Sequence, residues 1–172
     1  MTPTAGANDQ QKMHATAVAI SGVGVMIRGK SGSGKSDLAL RLIDRGATLI
    51  GDDYVEIRRR DGKLLLSPPS SLAGYVNIQR SGDRLILSPP PSLAGKLEVR
   101  SLGILECDHV SDIELKLVID LKEDPDRFPL DKQVMILLGI AAPFCTLDAM
   151  ETSAAIKAEL ALQRIMQDID GA

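Results

Sequence analysis

Aromatic residues are nearly absent: two Tyr, two Phe and no Trp in 172 residues. A core built without them is aliphatic, and the ring platforms on which single-stranded nucleic acid stacks are missing. Cysteine is scarce too. Cys107 and Cys145 have neither metal-ligand spacing nor a secretory context, which points to inert thiols in a reducing compartment. Neither sign of charge dominates: the net charge of −3 gives no global field toward nucleic acid or acidic lipid. "RRR" at Arg58 to Arg60 is a local basic candidate. No apolar run approaches the length of a membrane span. The opening "MTPTAGANDQQK" lacks the basic start and apolar stretch of a secretory signal. The expectation is a cytoplasmic protein with no nucleic-acid and no membrane partner.

What is present fits one ordinary domain, with 44% hydrophobic and 25% charged residues. Residues 1–12 read as a disordered N-terminal arm and residues 13–172 as a single domain. "ATAVAISGVGVMIRG" reads as two short strands around a turn at Gly22 to Gly24. "SDLALRLIDR" is an amphipathic helix capped by Gly46, and "ATLIG" a buried strand ending at Asp52 and Asp53. Further on, "GKLEVRSLGILEC" is a strand interrupted by a turn, and "IELKLVIDL" a strong strand. "KEDPDRFPLD" is a loop and "VMILLGI" an apolar strand. A helix from about Thr152 to Ile169 carries the stripe Ala155, Ala158, Leu162, Ile165 and Ile169. The fold class is strand-rich α/β.

A tandem repeat lies within the domain. "YVEIRRRDGKLLLSPPSSLAG" (54–74) is followed at once by "YVNIQRSGDRLILSPPPSLAG" (75–95), identical at 13 of 21 positions. Each unit reads as strand, tight turn, strand and a Pro-rich connection, with Asp61-Gly62 and Gly82-Asp83 as turn signals. A duplicated hairpin that extends a sheet is the plainer reading; an enlarged docking edge is the functional one.

"GKSGSGKS" fits the phosphate-binding pattern G-x-x-x-x-G-K-S, running through Gly29, Lys30, Ser31, Gly32, Ser33, Gly34, Lys35 and Ser36. Glycines let backbone N–H groups converge on phosphate oxygens. Lys35 supplies charge to the β- and γ-phosphates, Ser36 a hydroxyl to Mg²⁺, and the helix behind favours an anion. A strand before the loop and a helix after it argue against a chance Gly/Ser linker. A nucleotide is the expected ligand.

The second requirement is a carboxylate at the end of an apolar strand. Asp52 and Asp53 qualify, and so does Asp120 in "LKLVID". Neighbouring side chains in an extended segment point to opposite faces, so one of the Asp pair aims at the phosphates while the other binds metal or orients its neighbour. A base within reach of an acceptor hydroxyl suits a kinase acting on an alcohol. The guanine-reading N-K-x-D motif and the transporter ATPase signature are both missing, so a kinase leads by elimination.

At this level of detail, "MHATAVAISGVGVMIRGKSGSGKSDLALRLIDRGATLIGDDYVEI", with "LEVRSLGI" further on, resembles the catalytic domain of HPr kinase/phosphorylase. That bacterial enzyme uses ATP to phosphorylate a serine on HPr, the histidine-containing phosphocarrier protein of the sugar phosphotransferase system. The resemblance implies a P-loop kinase domain with a fold related to phosphoenolpyruvate carboxykinase, ATP and Mg²⁺ as cofactors, HPr or a paralogue as partner, and a homo-oligomer, often a hexamer. It makes Asp53 the base for the target serine, places Glu98 alongside Ser36 at Mg²⁺, and puts His14 in the active site; Asp52, the other member of the pair, is then the further metal candidate. Arg100 falls in the signature strand. Arg127, in "DPDRFP", matches an arginine near the transferred phosphate in a looser stretch of the alignment.

Four features depart from the family pattern. The chain looks like the short form without an extra N-terminal domain. Ser101 stands where the signature usually has Gly, and a second hairpin follows the Asp pair. The segment "LLGIAAPFCTLDAM" lacks the basic, Pro/Gly-rich loop linked to phosphate removal, so the resemblance carries kinase activity better than phosphorylase activity. A small-molecule kinase, or an ATP-sensing module without transfer, remains an alternative reading of the same loop.

Overall fold

The protein is described here by a computed structural model covering residues 10–69, 77–81, 84–88, 93–126 and 132–171. In chain order the elements are β1 (Gln10–His14), β2 (Thr16–Ile20), β3 (Val23–Arg28), α1 (Lys35–Asp44), β4 (Thr48–Gly51), β5 (Tyr54–Arg60) and β6 (Lys63–Ser67). There follow β7 (Asn77–Ser81), β8 (Arg84–Ser88), β9 (Lys96–Val99), β10 (Gly103–Glu106), β11 (Ile113–Leu121), β12 (Gln133–Leu137), β13 (Ile140–Leu147) and α2 (Ala154–Asp170). The expected strand-rich α/β character, with two helices among the described residues, is what the chain adopts.

One sheet runs β1-β5-β6-β11-β3-β2-β4, and β13 joins it on β11 with β12 beyond. β11 is its hub. It pairs antiparallel with β6 through Ile113 and Glu114, and parallel with β3 and with β13 further along. Its apolar run is long because both faces are covered. Val18, Val25, Ile27, Leu117 and Ile119 pack with Leu38 and Leu42 of α1 and Ala154, Ala158 and Leu162 of α2. Ala17, Met26, Ile57, Leu66, Leu115 and Val118 form a second cluster. Leu115 and Leu117 are two apart yet lie in different clusters, because the register slips between them and flips the face. Each fully buried Leu or Ile contributes about 1.5–3 kcal/mol.

Several expectations need correction. β1 begins at Gln10, inside the segment read as a disordered arm, and pairs with β5 from Gln10↔Arg58 to His14↔Tyr54. Its mostly exposed side chains give no apolar signal; backbone pairing on the sheet edge holds it. Residues 1–9 of that arm lie outside the described residues. "VMILLGI" is not one strand but the end of β12, a turn at Leu138-Gly139 and the start of β13. Both turn residues take positive φ (47° and 77°), the geometry of a tight two-residue hairpin. The turn before β3 is Ser21-Gly22, with Gly24 already in the strand. On α2 the apolar stripe ends at Ile165, since Ile169 is exposed.

The first repeat unit is the hairpin β5–β6, turning at Asp61-Gly62 and built into the main sheet. In the second, β7 and β8 pair antiparallel with each other as a separate two-stranded sheet, so this copy does not extend the main sheet. The turn residues Gly82-Asp83 lie outside the described residues.

Candidate active site

The glycine-rich loop joins β3 to α1. Buried neighbours fix β3 on both faces, so the loop leaves a rigid strand and enters a helix whose first residue is Lys35. Gly34 turns the chain at φ 91°, and a Cβ there would stand 2.9 Å from the Ala149 Cβ and 3.0 Å from the Met150 Cε. Only glycine fits. The buried Lys35 ammonium donates to the carbonyls of Gly29 and Lys30, at 3.0 Å each. The Ser33 hydroxyl is buried without a hydrogen-bond partner.

Asp52 and Asp53 point to different sides, but through a turn and not through the alternation of an extended chain: β4 ends at Gly51. Asp52 is buried, and its Oδ1 accepts from the Ser36 hydroxyl at 2.9 Å and from the Thr16 hydroxyl at 2.7 Å. Its Oδ2 accepts from the Glu98 backbone N–H at 3.0 Å. Asp53 faces outward on the rim, with Oδ1 3.0 Å from the His14 Nε2. Its φ is +66°, and the Tyr54 N–H reaches back to the Asp52 carbonyl at 2.7 Å, closing a three-residue turn of a rare, strained kind. The Ala15 N–H donates to the Asp53 carbonyl and the His14 ring lies against Tyr54, so β1 holds this corner from outside.

A cleft of about 490 Å³ gathers these groups. Its lining includes His14, Lys35, Ser36, Asp52, Asp53 and Glu98, and Arg100 stands on the same wall. Asp120, the other candidate carboxylate, stands one residue before the end of β11, paired with Arg28, and is not among the lining residues. Arg127 lies outside the described residues. Ser101, at the turn after β9, has φ +72°, a conformation that suits glycine and costs another residue about 1–2 kcal/mol. The basic run is engaged locally: Arg58 pairs with Asp112 and Glu56, Arg59 donates to the Leu138 carbonyl, and Arg60 stands 3.7 Å from Asp61.

Two contributors escaped the sequence reading. Thr16 sits in an apolar strand with nothing in the pattern to mark its hydroxyl. Arg41 crosses from α1 to donate to the carbonyls of Ala149 and Glu151, fixing the loop that walls the cleft at Met150. Its i, i+4 spacing from Asp37, with which it pairs at 2.9 Å, was the available hint.

The donor set fits a magnesium nucleotide. Among the described residues no cluster of three or more His, Cys, Asp or Glu forms a protein-only metal cage. Mg²⁺ does not require one: it takes one or two carboxylates and fills its shell with phosphate and water. The Ser36 hydroxyl and the Asp52 carboxylate are hard oxygen donors side by side, with Glu98 on the adjoining strand. The glycine cradle and the orphaned Ser33 hydroxyl suit the phosphates.

Fold and site together define a strand-rich α/β domain in which a glycine-rich loop and a carboxylate pair line one cleft. The family described as HPr Serine kinase C-terminal domain matches residues 7–78. An HPr kinase/phosphorylase of Clostridium botulinum (strain Eklund 17B / Type B) is 35% identical over 143 residues, covering 76% of this chain and 40% of that protein. The HPr kinase/phosphorylase of Azoarcus sp. (strain BH72) is 32% identical over 148 residues, covering 78% and 41%. Among solved structures, the Hpr(Ser) kinase/phosphatase from Coxiella burnetii superimposes with a TM-score of 0.70 at 25% identity, over 93% of this chain and 99% of that one. The chain spans about 40% of the length of the curated relatives it matches. The resemblance is therefore established: this chain is similar to the HPr kinase C-terminal domain, in sequence across the loop and the Asp pair and in fold across nearly all its length.

Proposed function

We propose that the protein is an ATP- and Mg²⁺-dependent serine kinase whose acceptor is HPr or a paralogous phosphocarrier protein. The observation that carries this reading is the split of the carboxylate pair: Asp52 is buried against Ser36, while Asp53 stands on the rim against His14. One carboxylate serves the metal side of the cleft and the other, though held by His14, is exposed to an incoming hydroxyl. The similarity to proteins named HPr kinase/phosphorylase and Hpr(Ser) kinase/phosphatase supports a kinase.

In this reading the loop N–H groups and Lys35 hold the phosphate chain, Lys35 exchanging its two carbonyl partners for phosphate oxygens. Ser36, Asp52 and Glu98 would hold Mg²⁺, which when bound neutralises charge on the phosphates. The serine hydroxyl attacks the γ-phosphorus in line, the bond to ADP breaks, and the serine proton passes to Asp53. His14 orients the Asp53 carboxylate. Most of the acceleration comes from positioning and charge. We assign the protein to the cytoplasm and to a homo-oligomer, and the reverse phosphorylase reaction is expected to be weak. No helix among the described residues is long and apolar enough to cross a membrane.

Incubation with ATP, Mg²⁺ and HPr, followed by mass-spectrometric mapping, should place one phosphate on an HPr serine. Lys35→Ala and Asp53→Asn should each lower the rate at least about 100-fold. Labelling of a small alcohol with HPr untouched, or tight nucleotide binding without transfer, would sink the reading.

A further inference from the structure

We infer that Thr16 is a positioning residue for the Asp52 carboxylate, and that a one-residue bulge in β4 exists to bring the two together; the inference rests on the magnesium nucleotide reading of the same cleft. Three donors converge on Asp52, each from a different element: Thr16 from β2, Ser36 from α1 and the Glu98 N–H from β9. They are not equivalent. Ser36 is exchangeable, because its hydroxyl is also the group that would turn toward a metal. The Glu98 N–H belongs to a short hairpin whose second strand is exposed throughout. Thr16 alone comes from the packed interior: it is fully buried, and β2 lies between β3 and β4.

The register shows how this contact is made. Val18 pairs with Leu49, but Ala17 pairs with Gly51, so Ile50 is an extra residue on β4. Regular pairing would set Ala17 against Ile50 and Thr16 against Gly51, leaving Asp52 one position too far along. The bulge shifts the strand end by one residue, and the next position after Gly51 then reaches Thr16. Ile50 stays fully buried, so the extra residue is held by packing. A buried carboxylate next to an apolar strand needs every lone pair used well. The Thr16 hydroxyl fixes the plane of the carboxylate while Ser36 is free to leave it.

Thr16→Val keeps the shape and removes the donor, and Thr16→Ser restores a hydroxyl. The affinity of a fluorescent ATP analogue, titrated with and without Mg²⁺, reads the effect without any transfer step. The wild type should bind at least tenfold more tightly with Mg²⁺. Thr16→Val should lose most of that gain yet match the wild type in Mg²⁺-free affinity, and Thr16→Ser should recover it. In HPr phosphorylation, Thr16→Val should lower kcat about tenfold with the KM for HPr unchanged. A Thr16→Val protein with the full Mg²⁺ gain, or a Thr16→Ser protein without it, would overturn the role of Thr16 and leave the kinase reading standing. A wild type indifferent to Mg²⁺ would overturn both.

Discussion

Asp53 and Cys145 show opposite uses of a single position. Asp53 holds a strained backbone so that its carboxylate stands clear of the wall, and three contacts offset the strain: the turn bond to Tyr54, the Ala15 N–H and the His14 ring. Cys145 does the reverse. It packs against the helix-side core, and burial pushes its thiol up to about 11. The folded state therefore keeps its proton where the unfolded chain has lost it. Stability from this group is intact below about pH 9 and declines as pH rises toward 11, by roughly 1–3 kcal/mol. Urea melts at pH 8 and pH 10.5 should show that decline, and Cys145→Ala should flatten it. An equal slope in both proteins would exclude Cys145 as its source.

At the scale of elements, the glycine-rich loop is wedged between α1 and the turn before α2. Gly34→Ala would require a residue at φ 91° and push its Cβ onto Ala149. The expected outcome is a loss of about 1–2 kcal/mol in thermal melts together with at least a tenfold fall in nucleotide affinity. Normal affinity would show that the loop is not held by that wall. The loop, α1 and the strand before Asp52 were legible because Gly, Lys and Ser recur at a spacing that only this chemistry requires, next to strong apolar periodicity. The β12–β13 hairpin was not, because its turn places Leu138 at positive φ and leucine carries no turn signal. β1 was hidden for a different reason: an edge strand with polar side chains gains its place from backbone pairing, which sequence pattern does not record. Thr16 is the same lesson inside the site, since its meaning depends on a bulge in a neighbouring strand.

For the whole molecule, the second repeat unit is expected to be removable. β7 and β8 pair with each other, and the unit ends in the same "SLAG" as the first. Gly95 closes it at φ 70°, tucked against the Cys107 carbonyl and His109, and accepts from the Cys107 N–H at 2.7 Å. Deleting residues 75–95 would set Gly74 in that place and run straight into Lys96. The shortened protein should melt within a few degrees of the full chain and bind nucleotide within about twofold, as circular dichroism and titration would show. An insoluble or molten product would mean that the second hairpin supports the core.

β11 is shared by three partner strands and covered on both faces. Its amide hydrogens can reach water only when the entire sheet opens, so they keep the slow time of global unfolding. The β9–β10 hairpin that carries Glu98 and Arg100 is two strands deep, with its outer strand exposed, and trades hydrogens on the fast time of local fraying. The Glu98 and Arg100 wall of the cleft is thus expected to breathe while the centre of the sheet stays closed. A bound nucleotide would slow both clocks, the first because a ligand that binds only the folded state makes global unfolding rarer, the second because it also holds the hairpin directly.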